Sequence, residues 1–110
     1  MYKVIYIDRI SDHSSGIPSN IKDGDNYFTI GWGGISARKF KEFNHDVKVE
    51  CWKTDYKAEK TYEKEISGVV FKIFPAYHIK YLGDYSRSML KHLKKELQKN
   101  EQTIFHITNF

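Results

Sequence analysis

Apolar and polar residues follow two different periods along this chain, and the changes of period divide it into elements. Tyr2 to Asp8 is a nearly unbroken run of β-branched and aromatic residues. Such a run predicts a strand covered on both faces, as at the centre of a parallel sheet. Arg9 to Thr29 is rich in Ser, Gly, Asn and Asp, the composition of a loop. It is longer than a plain strand-to-helix connection, and long loops inside compact domains tend to be functional or disordered. Tyr27, Phe28 and Ile30 anchor its far end.

Gly31-Trp32-Gly33-Gly34 then puts three glycines within four residues, a tight turn rather than the interior of a helix or strand. Ile35 to Asn44 predicts a helix, with Ala37, Phe40 and Phe43 as its apolar stripe and Asn44 as its stop. Val47, Val49 and Cys51 alternate with Lys48, Glu50 and Trp52, the signature of a strand with one drier face. Lys53 to Lys60 is charged and reads as exposed.

Tyr62 to Ile66 and Val69 to Phe74 flank Ser67-Gly68 and predict a β-hairpin that Pro75 ends. Ala76 to Gly83 reads as a tyrosine-rich connector. A second helix follows, with Asp84 as N-cap and Tyr85, Met89, Leu93 and Leu97 recurring at four-residue steps beside Leu90. Its other face carries Arg87, Lys91, Lys94, Lys95 and Lys99, and Asn100 ends it. Thr103 to Phe110 is a last apolar strand.

Strands alternating with helices predict an α/β domain with a mainly parallel sheet and a β-hairpin region. Ligands of such sheets sit beyond the carboxyl ends of the strands. The glycine turn, Asp8 and the segment His106 to Asn109 fall near that edge. A glycine-rich turn opening a helix aims unpaired N–H groups and the positive end of the dipole at one spot, which suits a phosphate; the same glycines also serve a merely tight connection. Asp8 reads as a cap for its neighbours or as a ligand. A core histidine bonded to backbone is one reading of His106. Met89 reads as core.

Composition narrows the class. At 110 residues the chain is one domain with a modest core, and 40% hydrophobic against 29% charged residues excludes wholesale disorder. The net charge of +4 raises nucleic acid or an anionic membrane as partners, but much of the excess sits on one helix face, where solvation explains it. Nucleic acid is therefore not expected, and a peripheral membrane contact stays open. A single cysteine, Cys51, excludes an intramolecular disulfide and a cysteine-based zinc site. With no membrane-length apolar run and no signal-peptide pattern, a cytoplasmic location is expected.

Several chemistries lack their motif. There is no Gly-x-Ser-x-Gly elbow, no phosphate loop ending in Gly-Lys-Ser/Thr and no third glycine of a dinucleotide fingerprint. His13, His45, His78, His92 and His106 are scattered without metal-ligand spacing, so neither metal nor cofactor is expected. His78 and His92 read as exposed. Asp12-His13-Ser14-Ser15 holds the residue types of a hydrolytic triad, but neighbours in sequence rarely form one.

Taken in order, the pieces resemble the N-terminal Rossmann-like domain of the group 1, retaining, two-domain (GT-B fold) glycosyltransferases. That family opens on an apolar strand and a variable loop, then a Gly-Gly turn, where Gly33-Gly34 stand here. A helix ending in an approximate Gly-His-x-Val follows, matched by Asn44-His45-Asp46-Val47 with Asn in place of Gly. Gly68 to Pro75 is similar to a later strand of that family. Thr103 to Asn109 is similar to its Asp-hydrophobic-hydrophobic-His-x-His strand, with Thr108 where many members have a second His.

The resemblance spans essentially all 110 residues and implies a three-layer Rossmann-like domain, the acceptor-side half of an enzyme that moves a sugar from a nucleotide-sugar donor to a glycan or other acceptor. It assigns Gly33, Gly34, His106 and Asn109 to the donor-phosphate and acceptor cleft. The family's second domain, which carries most donor contacts, has no counterpart here, so the chain is expected to be an N-terminal half that is inactive alone. The alternative is a small Rossmann-like binding domain without catalysis.

Overall fold

In the computed structural model, which describes residues 2–9, 28–29, 32–55, 58–79, 83–99 and 102–107, the apolar runs become one five-stranded sheet. Its strands are β1 (Tyr2–Arg9), β2 (Lys48–Asp55), β3 (Tyr62–Ile66), β4 (Val69–Pro75) and, last in the chain, β7 (Gln102–Ile107). They lie in the order β3-β4-β2-β1-β7, parallel except where β3 folds back on β4. The expected α/β class with a mainly parallel sheet and a hairpin therefore holds. No helix among the described residues is long and apolar enough to cross a membrane.

Helix α1 (Trp32–Phe43) and helix α2 (Arg87–Leu97) cover opposite faces. Val4, Tyr6, Val49, Cys51, Val69, Phe71 and Ile73 meet Ala37 and Phe40 under α1. Ile5, Ile7, Trp52 and Phe74 meet Met89 and Leu93 under α2. Each such apolar side chain, fully buried, contributes about 2 kcal/mol. Met89 is core, as its spacing predicts.

The structure departs from the sequence reading at several points. β2 was expected to have one dry face, yet every residue after Lys48 is buried, because β2 lies between β4 and β1 with a helix on each side. The expected exposed stretch from Lys53 instead begins as buried strand: Lys53, Thr54 and Asp55 are all covered, and so is Ala58. Phe43, assigned to the α1 stripe, is 81% exposed. Steps of three fall short of a full turn, so Phe43 has rotated about 120° away from Ala37.

Steps of four overshoot in the same way, and Leu97 is correspondingly exposed while Glu96 takes the buried place. The N-cap of α2 is Ser86, not Asp84: the Ser86 hydroxyl accepts the Met89 N–H at 3.2 Å and donates to the Pro75 carbonyl at 2.7 Å. Asp84 belongs instead to a small antiparallel pair, β5 (Tyr77–Ile79) with β6 (Gly83–Tyr85), inside the segment read as a connector.

Other expectations hold. Ser67 and Gly68 both have positive φ, 54° and 80°, as a two-residue hairpin turn matching the sheet's twist requires. Asn44 stops α1 by donating its side-chain amide to the Phe40 carbonyl at 2.9 Å.

Under α2 lies a charged network. Lys3 Nζ bonds both carboxylate oxygens of Glu96 at 3.1 Å and pairs with Glu50 at 3.1 Å. Glu50 also accepts the Trp52 indole N–H at 2.8 Å and faces Lys72 at 3.5 Å. His92, expected to be exposed, is half-buried, its ring 4.8 Å from that of Phe74 and 6.0 Å from that of Trp52.

Candidate functional site at the carboxyl edge of the sheet

From β1 the chain crosses to β2 on one side, and the last strand, β7, returns to the other. The strand order therefore reverses between β1 and β7, the kind of position at whose carboxyl edge open α/β sheets take ligands. Asp8 and the start of α1 stand at that edge.

Helix α1 begins three residues earlier than expected, so Gly33 and Gly34 form its first turn. Packing accounts for both. A Cβ on Gly33 would come within 2.8 Å of Asp8 Oδ2, and one on Gly34 within 2.5 Å of the Thr29 carbonyl oxygen. The helix start is pressed against the end of β1 more closely than a side chain permits.

Asp8, almost fully buried, accepts the Gly33 N–H at 2.9 Å. Of the two readings of Asp8, the cap is the one the geometry displays. A carboxylate at a helix N-terminus also gains from the dipole, so one of the N–H groups aimed at the edge already holds an anion.

Lys53 is the residue sequence reading missed. It is the register partner of Asp8 on the adjacent parallel strand, on the same face, and it is fully buried. Burial draws its pKa below the usual 10.5; Cys51 and Asp8 offset part of this and the Arg38 charge adds to it. The signal was present in the spacing, since Lys53 continues the Val49, Cys51 alternation onto the α1 face. Its charge outweighed its phase in the reading.

Arg38 reaches back along α1 so that its Nε points at the Gly34 carbonyl, 3.5 Å away. Cys51 is buried, and burial pushes its thiol up to about 12, which leaves it a poor nucleophile.

His106 is exposed near the end of β7, with its ring 5.0 Å from that of Tyr6, its register partner. Tyr6 lies two residues before Asp8 on the same face. His106 is thus about 8 Å of backbone from Asp8, one strand across and two residues down. The structure brings Gly33, Gly34, Asp8 and Lys53 together and sets His106 on the neighbouring strand of the same face. Asn109 lies outside the described residues, as do Gly31, most of the Arg9 to Thr29 loop, and Asp12 to Ser15.

A groove of about 450 Å³ lies elsewhere, at the opposite end of α1, lined by Arg38, Lys41, Glu42, His45, Ser67 and Gly68. Lys41 there is committed to structure, donating to the carbonyls of His45 at 2.9 Å and Val47 at 2.7 Å. The carboxyl edge is the better candidate because buried charge, a helix start and the strand-order reversal coincide on it. Comparison with protein-family models, with curated proteins and with solved structures found no match to this chain.

Proposed function

We propose that the chain is a Rossmann-like, acceptor-side half of a GT-B glycosyltransferase, forming one wall of the cleft in which a nucleotide-sugar donor meets its acceptor. The observation that supports this reading most is the reversal of strand order between β1 and β7, with the Gly33-Gly34 helix start on the edge it opens. The α1 dipole and Lys53 offer a diphosphate leaving group positive potential at this edge, set against the buried carboxylates of Asp8 and Asp55. In this reading Gly34 and its neighbours face the donor phosphates, while His106 and Asn109 line the acceptor side. A second α/β lobe supplies the remaining donor contacts, so this wall alone transfers no sugar.

One observation favours a second reading, a Rossmann-like binding domain without catalysis. Asp8 has already taken the Gly33 N–H, so the glycine turn spends part of its anion-binding capacity inside the protein. A titration of the ¹⁵N-labelled chain with UDP-glucose and with GDP-mannose separates the two. The glycosyltransferase reading expects millimolar binding, amide shifts concentrated at Gly34 and His106, and no sugar transfer or release. An absence of shifts at this edge would remove it and leave the binding domain. Sugar transfer by the chain alone would contradict its half-site character.

A further inference from the structure

Helix α2 carries one sign of charge on its outer side. At about 100° per residue, Met89, Leu93 and Glu96 point at the sheet, and His92 lies at their margin against Trp52 and Phe74. The opposite arc, about 160° wide, holds Leu97, Leu90, Lys94, Arg87, Lys91 and Lys95 in that order, all exposed. The one acid of the helix, Glu96, is turned inward onto Lys3 at 3.1 Å. Among the described residues, none of the four outward cations pairs with an acid.

Other exposed surfaces mix their signs. Lys39 stands near Glu42 on α1, and Glu63 and Glu65 flank Lys64 on β3. Helix stability does not ask for the α2 pattern either. Lys94 and Lys95 suit the dipole in the last turn, but Arg87 lies in a first turn that holds no acid, where a cation is disfavoured. Leu90 and Leu97, 47% and 73% exposed, adjoin the cations on one flank, about two turns apart.

We propose that this outer arc of α2 binds the surface of an anionic lipid bilayer, with the helix lying in the membrane plane. The four cations meet the charged headgroups, each worth about fivefold in affinity near such a surface. Leu90 and Leu97 enter the boundary between headgroups and acyl chains, which takes up apolar side chains. Charge complementarity alone would also admit a nucleic acid. The leucines decide for lipid, since they offer a nucleic acid neither a hydrogen bond nor a ring to stack on. The core face of α2 stays docked on the sheet, so binding needs no unfolding. The proposal does not rest on the glycosyltransferase reading.

Sedimentation of the whole chain with lipid vesicles tests it. At about 0.1 M salt the chain should pellet with phosphatidylcholine vesicles containing about a third phosphatidylserine and stay in solution with phosphatidylcholine alone. Raising the salt to about 1 M should release it. Lys91→Gln with Lys95→Gln should weaken binding about twentyfold, and Leu97→Ser about threefold, with circular dichroism confirming an unchanged fold. Lys39→Gln with Lys60→Gln, an equal loss of charge elsewhere, should leave it within about twofold. No binding to the phosphatidylserine vesicles, or binding weakened no more by the Lys91 and Lys95 pair than by the control pair, would overturn the proposal. Tighter binding to a single-stranded oligonucleotide, unmoved by Leu97→Ser, would overturn it too and assign the face to nucleic acid.

Discussion

Both faces of the sheet bury charge, on opposite terms. Under α2, burial alone would pull Lys3 down, but its hydrogen bonds to Glu50 and Glu96 and their charges prevail and hold its pKa up. Burial likewise pushes Glu50 and Glu96 up. For Glu50 the Trp52 and Lys3 hydrogen bonds and the Lys72 charge win, for Glu96 those of Lys99 and Lys3, and both end below their ordinary range. Lys3, Glu50 and Glu96 are each more comfortable charged there than in water. Under α1, Lys53 is the reverse: burial prevails and its charged form is disfavoured. The first arrangement docks a helix. The second holds a lysine against its preference at a sheet's carboxyl edge, where perturbed groups tend to serve chemistry.

The comparison breaks most visibly on the α2 side. Glu96→Ala removes one partner of a buried pair and leaves Lys3 with less compensation, and should cost about 3 kcal/mol in chemical denaturation. Lys3→Met combined with Glu96→Leu should recover only part of that loss, since the apolar pair needs no desolvation but Glu50 then keeps only Lys72 and the Trp52 N–H. On the α1 side, Gly34→Ala gains about 1 kcal/mol of helix propensity but forces a methyl against the Thr29 carbonyl. A net loss of about 2 kcal/mol is expected, with Gly33→Ala milder because the Asp8 side chain can yield.

The smallest effect is also the most discriminating. Glu50 and Glu96 titrate below 4.5 when folded, so their stabilisation is complete above that pH and is lost as the pH falls through their folded values. Lys3 titrates above 10.5, and its contribution is lost only as the pH climbs through that higher folded value. Lys53 has the opposite sign. Between its lowered folded value and 10.5 the unfolded chain binds more protons, so stability rises with pH across that window. Lys53→Met should abolish the alkaline rise without touching the acid limb, and Glu96→Gln should shrink the acid limb, which Glu50 shares, without removing the rise.

Much of this fold was legible because its strands are long apolar runs with distinct punctuation. Tyr2 to Asp8, the Ser67-Gly68 turn and the Met89, Leu93 pair all declare themselves locally. What escaped depends on partners distant in sequence. Lys53 is buried because two strands and a helix close over it. Glu96 is buried because Lys3, at the other end of the chain, waits beneath it. Ser86 caps α2 in place of Asp84 because Pro75 lies within reach of its hydroxyl. At the candidate site the glycines were visible and their reason was not: the Asp8 carboxylate and the Thr29 carbonyl, each several residues or more away, set how near the helix start can come.

One experiment addresses the contrast directly, a side-chain NMR titration following the Nζ signals of Lys3 and Lys53 in the same sample. The account predicts that Lys53 loses its proton below 10.5 and Lys3 above it. Coincident titrations, or Lys3 titrating first, would contradict the claim that one face stabilises its buried charge while the other restrains it.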